Sequence, residues 1–319
     1  MGLLQDRVVL VSGVGRGLGY QVGAAVLREG GQVALGDQFP QVYDLQKELD
    51  PSGNRSLAAV CDITDHDRCD GFISEVAARF GRLDGLVHVA AVDRIYGGLL
   101  DGSLDDWDLA ATVNVKGTLA LTKAAVPLLQ ADGGGSVVVI GSMGAVARPP
   151  IDMLAYGASK GALRTAAWYL SRELGPLGIR VNTVAPGWKW GPVMVGFLQA
   201  EADARGVELE EVVAPIRDGL ALRRIPTDDD VANLVVFFCS PYSEGVTGQT
   251  LHIDGGQGDI IHWVCPGYAA AVTVRLSPFL SRCAGRSSWD DPPVQTGSGW
   301  GSMRRMVDES RALRGISRP

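Results

Sequence analysis

A chain of 319 residues is long for one domain of ordinary size and short for three, so one large α/β domain or two smaller ones is expected. Its 46% hydrophobic and 20% charged residues exclude a disordered or fibrous chain, and its 42 glycines follow no Gly-X-Y period, which excludes collagen. The net charge of −7 has the opposite sign from that of a typical nucleic-acid binder, so no nucleic-acid partner is expected.

In chain order, short β-branched runs alternate with helix-length segments. Val8 to Ser12 reads as a buried strand, Gly17 to Glu29 as a helix closed by Gly30-Gly31, and Gln32 to Gly36 as a second strand. Leu57 to Cys61, Gly85 to Ala90, Ser136 to Gly141, Ile179 to Ala185 and Thr250 to Ile253 complete the set. Strands apolar on both faces, separated by helices, predict a doubly wound parallel α/β sheet of about seven strands with ligands at its carboxyl ends. The alternation stops near Gly255-Gly256. The chain therefore divides into one α/β domain over 1–256 and an appended segment over 257–319, in which only Ser302 to Leu313 has a helical pattern. Eight arginines against five acids make that segment basic beside an acidic body. A solvated tail is the plainer reading, a nucleic-acid or membrane role the sharper one.

Five scattered cysteines without a C-x-x-C pair argue against disulfides and zinc knuckles and suit a reducing compartment. Four distant histidines make a metal site unlikely on spacing alone. Asp6 and Arg7 interrupt any signal peptide, and the longest apolar stretches, such as Leu234 to Cys239, are far too short to span a bilayer. A cytoplasmic protein with no membrane partner is expected.

The first strand runs into Ser12-Gly13-Val14-Gly15-Arg16-Gly17-Leu18-Gly19 at the start of a helix. Gly13, Gly17 and Gly19 allow a tight turn and close backbone approach, while the helix N-terminus offers free N–H groups to a diphosphate. Asp37 closes the second strand, where a carboxylate can accept the ribose hydroxyls of NAD and repel the extra phosphate of NADP. Arg16 could meet that 2′-phosphate instead, and NAD is the expected cofactor with NADP second. Asp62 is placed either to take the adenine amino group, with Ile63 against the ring, or to cap the helix near Asp65.

Tyr156 and Lys160 stand at i and i+4, on one helix face. An ammonium beside a phenol stabilises the phenolate and draws its pKa from ~10 toward the working range of a general acid/base. Ser142, just after a strand, can bond a substrate oxygen, and Asn114 can order a water that passes protons on from the lysine. These residues, with Gly13-x-x-x-Gly17-x-Gly19, Asp62, Pro186-Gly187, Thr247-Gly248-Gln249 and Asp254-Gly255-Gly256, resemble the short-chain dehydrogenase/reductase family over Met1 to about Gly256. The resemblance implies a Rossmann-type fold, hydride transfer between a nicotinamide and a carbonyl or secondary alcohol carbon, and a homo-oligomer, tetramer or dimer. It makes Tyr156 the acid/base, Lys160 the ribose-binding cation that lowers the tyrosine pKa, Ser142 the group that orients substrate, and Asn114 the holder of the relay water. It places the backbone at Ala90 and at Pro186-Gly187 beside the cofactor. The sequence departs from the family pattern at His88-Val89-Ala90-Ala91, where the family has Asn-Asn-Ala-Gly; His88 is expected to be a satisfied interior residue.

Substrate selection is expected in Val92 to Tyr96, Met143 to Met153 and the segment after Gly187. There Trp188, Trp190 and Met194 offer an apolar wall for a ring or chain, or else pack a lid over 188–225 onto the body. Lys189 faces either a carboxylate or solvent. The expected function is an NAD-dependent oxidoreductase of an apolar or cyclic secondary alcohol or ketone. The alternative is an NAD-binding sensor or scaffold that keeps the fold without turnover.

Overall fold

Runs such as Val8–Ser12, with all five residues buried, satisfy their backbone as interior strands, and among the described residues seven strands pair in one parallel sheet. The structure is a computed structural model that describes residues 2–147 and 152–257. The sheet runs in the order β3 (Ser56–Val60), β2 (Gln32–Asp37), β1 (Val8–Ser12), β4 (Gly85–His88), β5 (Gly135–Ile140), β6 (Ile179–Pro186) and β7 (Thr250–Ile253). This is the doubly wound sheet expected from the sequence. The order reverses between β1 and β4, so their carboxyl ends open a crevice.

Strand alternation divides the core into two layers. Val9, Val11, Val33, Leu35 and Val138 face α1 (Leu18–Arg28), α2 (Val42–Leu49) and α9 (Asp228–Cys239). Val8, Leu10, Ala34, Val137 and Val139 face α3 (His66–Phe80), α5 (Thr118–Ala131) and α6 (Leu154–Leu174). The fourth strand ends two residues earlier than expected, because the amides of Val89 and Ala90 both turn to Ser12 O, at 3.0 and 2.9 Å. The third and fifth strands each begin one residue earlier, at Ser56 and Gly135.

α4 (Leu104–Ala110) passes through a π-helical turn, Ala111–Gly117, before α5 begins; such widened turns recur at functional sites. Between β6 and α9 the chain folds α7 (Pro192–Arg205) against α8 (Leu209–Gly219) around their own core of Met194, Leu198, Val212 and Leu220. Cys61, Cys69 and Cys239 are buried and free. Among the described residues no helix is long and apolar enough to cross a membrane. The Arg148-Pro149-Pro150 loop, the segment 258–319 and the helix expected at 302–313 lie outside the described residues.

Candidate active site

The carboxyl ends of β1, β4, β5 and β6 enclose a cleft of about 510 Å³ whose floor is the glycine loop. Gly13 has φ +85°, and a Cβ there would stand 2.3 Å from Ala90 N, so only glycine lets β1 turn this close to β4. A Cβ on Gly19 would stand 2.1 Å from Gly13 O, which fixes how tightly α1 sits on the loop. Gly15 and Gly17 behave differently: around Gly15 there is open space, and a Cβ on Gly17 would meet only Asp228 Oδ2 at 3.9 Å. No side chain caps α1 and no acid stands in its first turn, so its leading N–H groups and dipole face the cleft, as a diphosphate requires.

Tyr156, Ser142 and Lys160 line the same cleft. Ser142 leaves β5 and N-caps a short turn through its Oγ, which accepts from Gly144 N at 3.0 Å. Gly157 lets α6 approach that turn, since a Cβ there would lie 3.0 Å from Gly144 O. The approach brings Tyr156 within hydrogen-bonding reach of Ser142. Lys160, buried one turn along, donates from Nζ to Ile140 O at 2.8 Å and lies 5.7 Å from the Tyr156 ring centroid. Asn114 is fully buried in the π-helical turn and ties the post-β4 segment to α6. Its Oδ1 accepts from Val92 N at 2.7 Å, and its Nδ2 donates to Val92 O at 3.1 Å and to Ser159 Oγ at 2.9 Å. Its side chain is thus committed to the scaffold beneath Tyr156 and Lys160.

The remaining expected residues separate. Leu18, Pro186 and Gly187 line the cleft. Ala90 sits behind Gly13, while its neighbours Val89 and Ala91 face inward. Arg16 lines the cleft with its guanidinium 3.0 Å from the Glu48 carboxylate. Asp37, Asp62 and Ile63 follow β2 and β3. Asp37 accepts from Phe39 N at 3.0 Å, exposed Asp62 accepts from Thr64 N and Oγ1, and Ile63 is buried against Gly117. The cap of α3 is Asp65, which takes Arg68 N at 3.1 Å, so the capping alternative for Asp62 falls to its neighbour. Met143 is buried, and Met194 and Trp188 pack into the α7–α8 core, while Trp190 is pinned by its amide to Pro226 O at 2.7 Å. The cleft is instead walled there by Lys189, Pro192 and Val193, because Val193 lies about 100° round α7 from Met194. Lys189 is part-buried rather than solvent-facing, and its Nζ donates to the carboxylate of Asp228 within the chain. Asp93 and Arg94, within the expected segment Val92 to Tyr96, line the cleft, whereas Asp228 had no sequence signal, since it reaches the wall from the start of α9, far along the chain.

His88 is buried, and its Nε2 lies 2.8 Å from Thr122 Oγ1, which itself donates to Thr118 O at 2.8 Å. The ring therefore donates from Nε2, and Nδ1 is left without a partner, so this interior histidine is satisfied on one side only. Burial, with the Lys160 charge, pushes its pKa down to about 3 and keeps it neutral.

Burial also dominates Tyr156 and Lys160. It pushes Tyr156 up to about 12, against the pull of the Ser142 hydrogen bond, so the expected lowering by lysine is not what this geometry yields. The ammonium is committed to Ile140 O and is itself pushed down to about 8 by burial, with Asp93 acting the other way. A lysine pKa that falls on folding means the unfolded chain binds more protons between about 8 and ~10.4. Stability must then rise with pH across that window, and below it the fold carries the full cost of a buried ammonium. Lys160→Met is expected to raise stability at pH 7 by roughly 1–3 kcal/mol, less what the lost bond to Ile140 O takes back, and to flatten the profile from pH 8 to 10.4. Urea unfolding of both proteins at pH 7 and pH 10 measures this, and parallel pH profiles would contradict it.

The family profile described as "Enoyl-(Acyl carrier protein) reductase" matches residues 13–257. The short-chain reductase protein NovJ of Streptomyces niveus is 31% identical over 256 residues, covering 79% of this chain and 94% of that protein. Among solved structures, an NAD+-bound xylitol dehydrogenase has 26% identity and a TM-score of 0.72, covering 79% of this chain and 99% of its own. ElxO with NADP bound has 26% identity and a TM-score of 0.71 over the same shares. A parallel sheet with a glycine loop, a Tyr–Lys pair beside a strand-end serine, and a match spanning all of these make one conclusion: this chain belongs to the short-chain dehydrogenase/reductase family and is an oxidoreductase.

Proposed function

We propose that the chain interconverts a secondary alcohol and a ketone with NAD, and that Tyr156 is its general acid/base. The observation that carries this reading is the meeting of Tyr156, Ser142 and Lys160 in one cleft with the uncapped N-terminus of α1. A bound nicotinamide dinucleotide supplies the hydride exchange; its diphosphate suits the open space over Gly15 and Gly17, and its nicotinamide ribose suits Lys160. Ser142 holds the substrate oxygen through its hydroxyl. Tyr156, with a pKa far above 7, is the neutral phenol that donates a proton to that oxygen, so ketone reduction is favoured near neutrality and alcohol oxidation gains as pH rises. Pro192 and Val193 give the substrate an apolar wall.

Two observations support NAD over NADP. Arg16 is engaged by Glu48, and the half-buried Asp37 carboxylate stands at the end of β2 with no cation bonded to it among the described residues. Cofactor turnover over a panel of cyclic and aromatic alcohols and ketones tests the proposal, and binding of NAD with no turnover on any of them would favour the sensor reading. In the same assay Asp37→Ser is expected to shift the NADP-to-NAD preference by about tenfold or more toward NADP. An unchanged ratio would remove Asp37 from cofactor selection.

A further inference from the structure

Among the described residues, four cations stand on the cleft wall: Arg16, Arg94, Lys160 and Lys189. Arg16 is held by Glu48 and Lys160 by Ile140 O, and Arg94 is exposed. Lys189 is three-quarters buried, and its Nζ donates to Oδ1 of Asp228, itself buried at the first position of α9. The other oxygen of that carboxylate, Oδ2, lies 3.9 Å from where a Cβ on Gly17 would be. A part-buried ion pair thus stands beside the part of the glycine loop that is open to a diphosphate.

We propose that Lys189 is a dinucleotide-binding residue, held by Asp228 in the free chain and transferred to the diphosphate when the cofactor binds. This rests on the proposed reading of the cleft as a dinucleotide site. A largely desolvated ammonium on the cleft wall is better paired than unpaired in either state, and a diphosphate with two charges replaces the one carboxylate. Asp228 can release it because a carboxylate in the first turn of a helix is stabilised by that helix's N–H groups and dipole. The two acids beside it do not compete: Asp229 is bound to Arg28 at 2.9 Å, and Asp230 to Arg224 and Thr227. Lys189 also leads into α7, and the Trp190 amide is tied to Pro226 O, so the transfer acts at the root of the α7–α8 unit.

Calorimetric Kd values for NAD on the full chain test this with three variants, each checked for wild-type thermal unfolding. Asp228→Asn removes the competitor and the like charge, and is expected to tighten NAD about fivefold or more, the gain shrinking with added salt. Lys189→Met is expected to weaken NAD on the order of tenfold. The double variant Lys189→Met with Asp228→Asn decides the role. If Lys189 meets the diphosphate, the double variant binds NAD more weakly than wild type; if Lys189 only neutralises Asp228, it binds at least as tightly, and the proposal is overturned. An Asp228→Asn chain that binds NAD no more tightly than wild type overturns it as well. A wild-type chain that binds neither NAD nor NADP overturns instead the reading of the cleft on which the proposal rests.

Discussion

Tyr156→Phe is expected to lower kcat by about a thousandfold while leaving NAD affinity within a few-fold of wild type. The substitution deletes one hydroxyl and keeps the ring, so α6, the Ser142 turn and the Lys160 ammonium over the ring face stay in place. What it removes is the proton that the substrate oxygen would take. With the Tyr156 pKa pushed up to about 12, that proton is present throughout the neutral range. Wild-type reduction should therefore show no loss from tyrosine ionisation below about pH 11, and any alkaline limb below that must come from another group. Steady-state kinetics with the best panel substrate, paired with a calorimetric Kd for NAD, separates chemistry from binding. Unchanged turnover in the variant would end the general acid/base assignment.

Gly13→Ala is expected to cost about 3 kcal/mol of stability and to abolish dinucleotide binding. Two penalties add: alanine at φ +85° pays roughly 1–2 kcal/mol for a left-handed backbone, and its methyl would lie 2.3 Å from Ala90 N, backbone that cannot rotate away. Relief requires the turn to part from β4, which moves the loop whose amides Gly13 N and Val14 N are bonded to Gly36 O. Gly15→Ala is the control. No atom stands within 4 Å of the added methyl and the backbone is not left-handed, so its stability should stay within about 0.5 kcal/mol of wild type. Urea unfolding of both variants reads the contrast, and equal costs would show that the close approach to β4 is not what makes Gly13 a glycine.

Much of this site was legible before any coordinates. Apolar runs on both strand faces predict a parallel sheet, a parallel sheet predicts a crevice at its carboxyl ends, and the glycine loop, Ser142, Tyr156 and Lys160 all fall at or near such ends. The substrate wall was not legible. Trp188, Trp190 and Met194 are the bulky apolar residues a reader would choose, but Trp188 and Met194 pack with Phe197 and Leu198 between α7 and α8 and leave Val193 to the cleft. Size and hydrophobicity say that a side chain will be covered; they do not say by what. The tyrosine pKa departs from its expected direction for a related reason: the i,i+4 spacing promises that lysine and phenol share a face, yet burial of the phenol dominates and raises its pKa, while Ile140 O at the end of β5 takes the ammonium's hydrogen bond.

What the sequence by itself determined was the order of elements, the class of sheet and the candidate residues of the cleft, because periodicity and short-range spacing are properties of neighbouring residues. What only the tertiary structure decided was the electrostatics of the cleft. Lys189 and Asp228 lie 39 positions apart and meet because β6 and α9 lie side by side, and Asp93 reaches Tyr156 and Lys160 across the mouth of β4. Charge interactions depend on distance and burial, and both are set by the packing of remote segments.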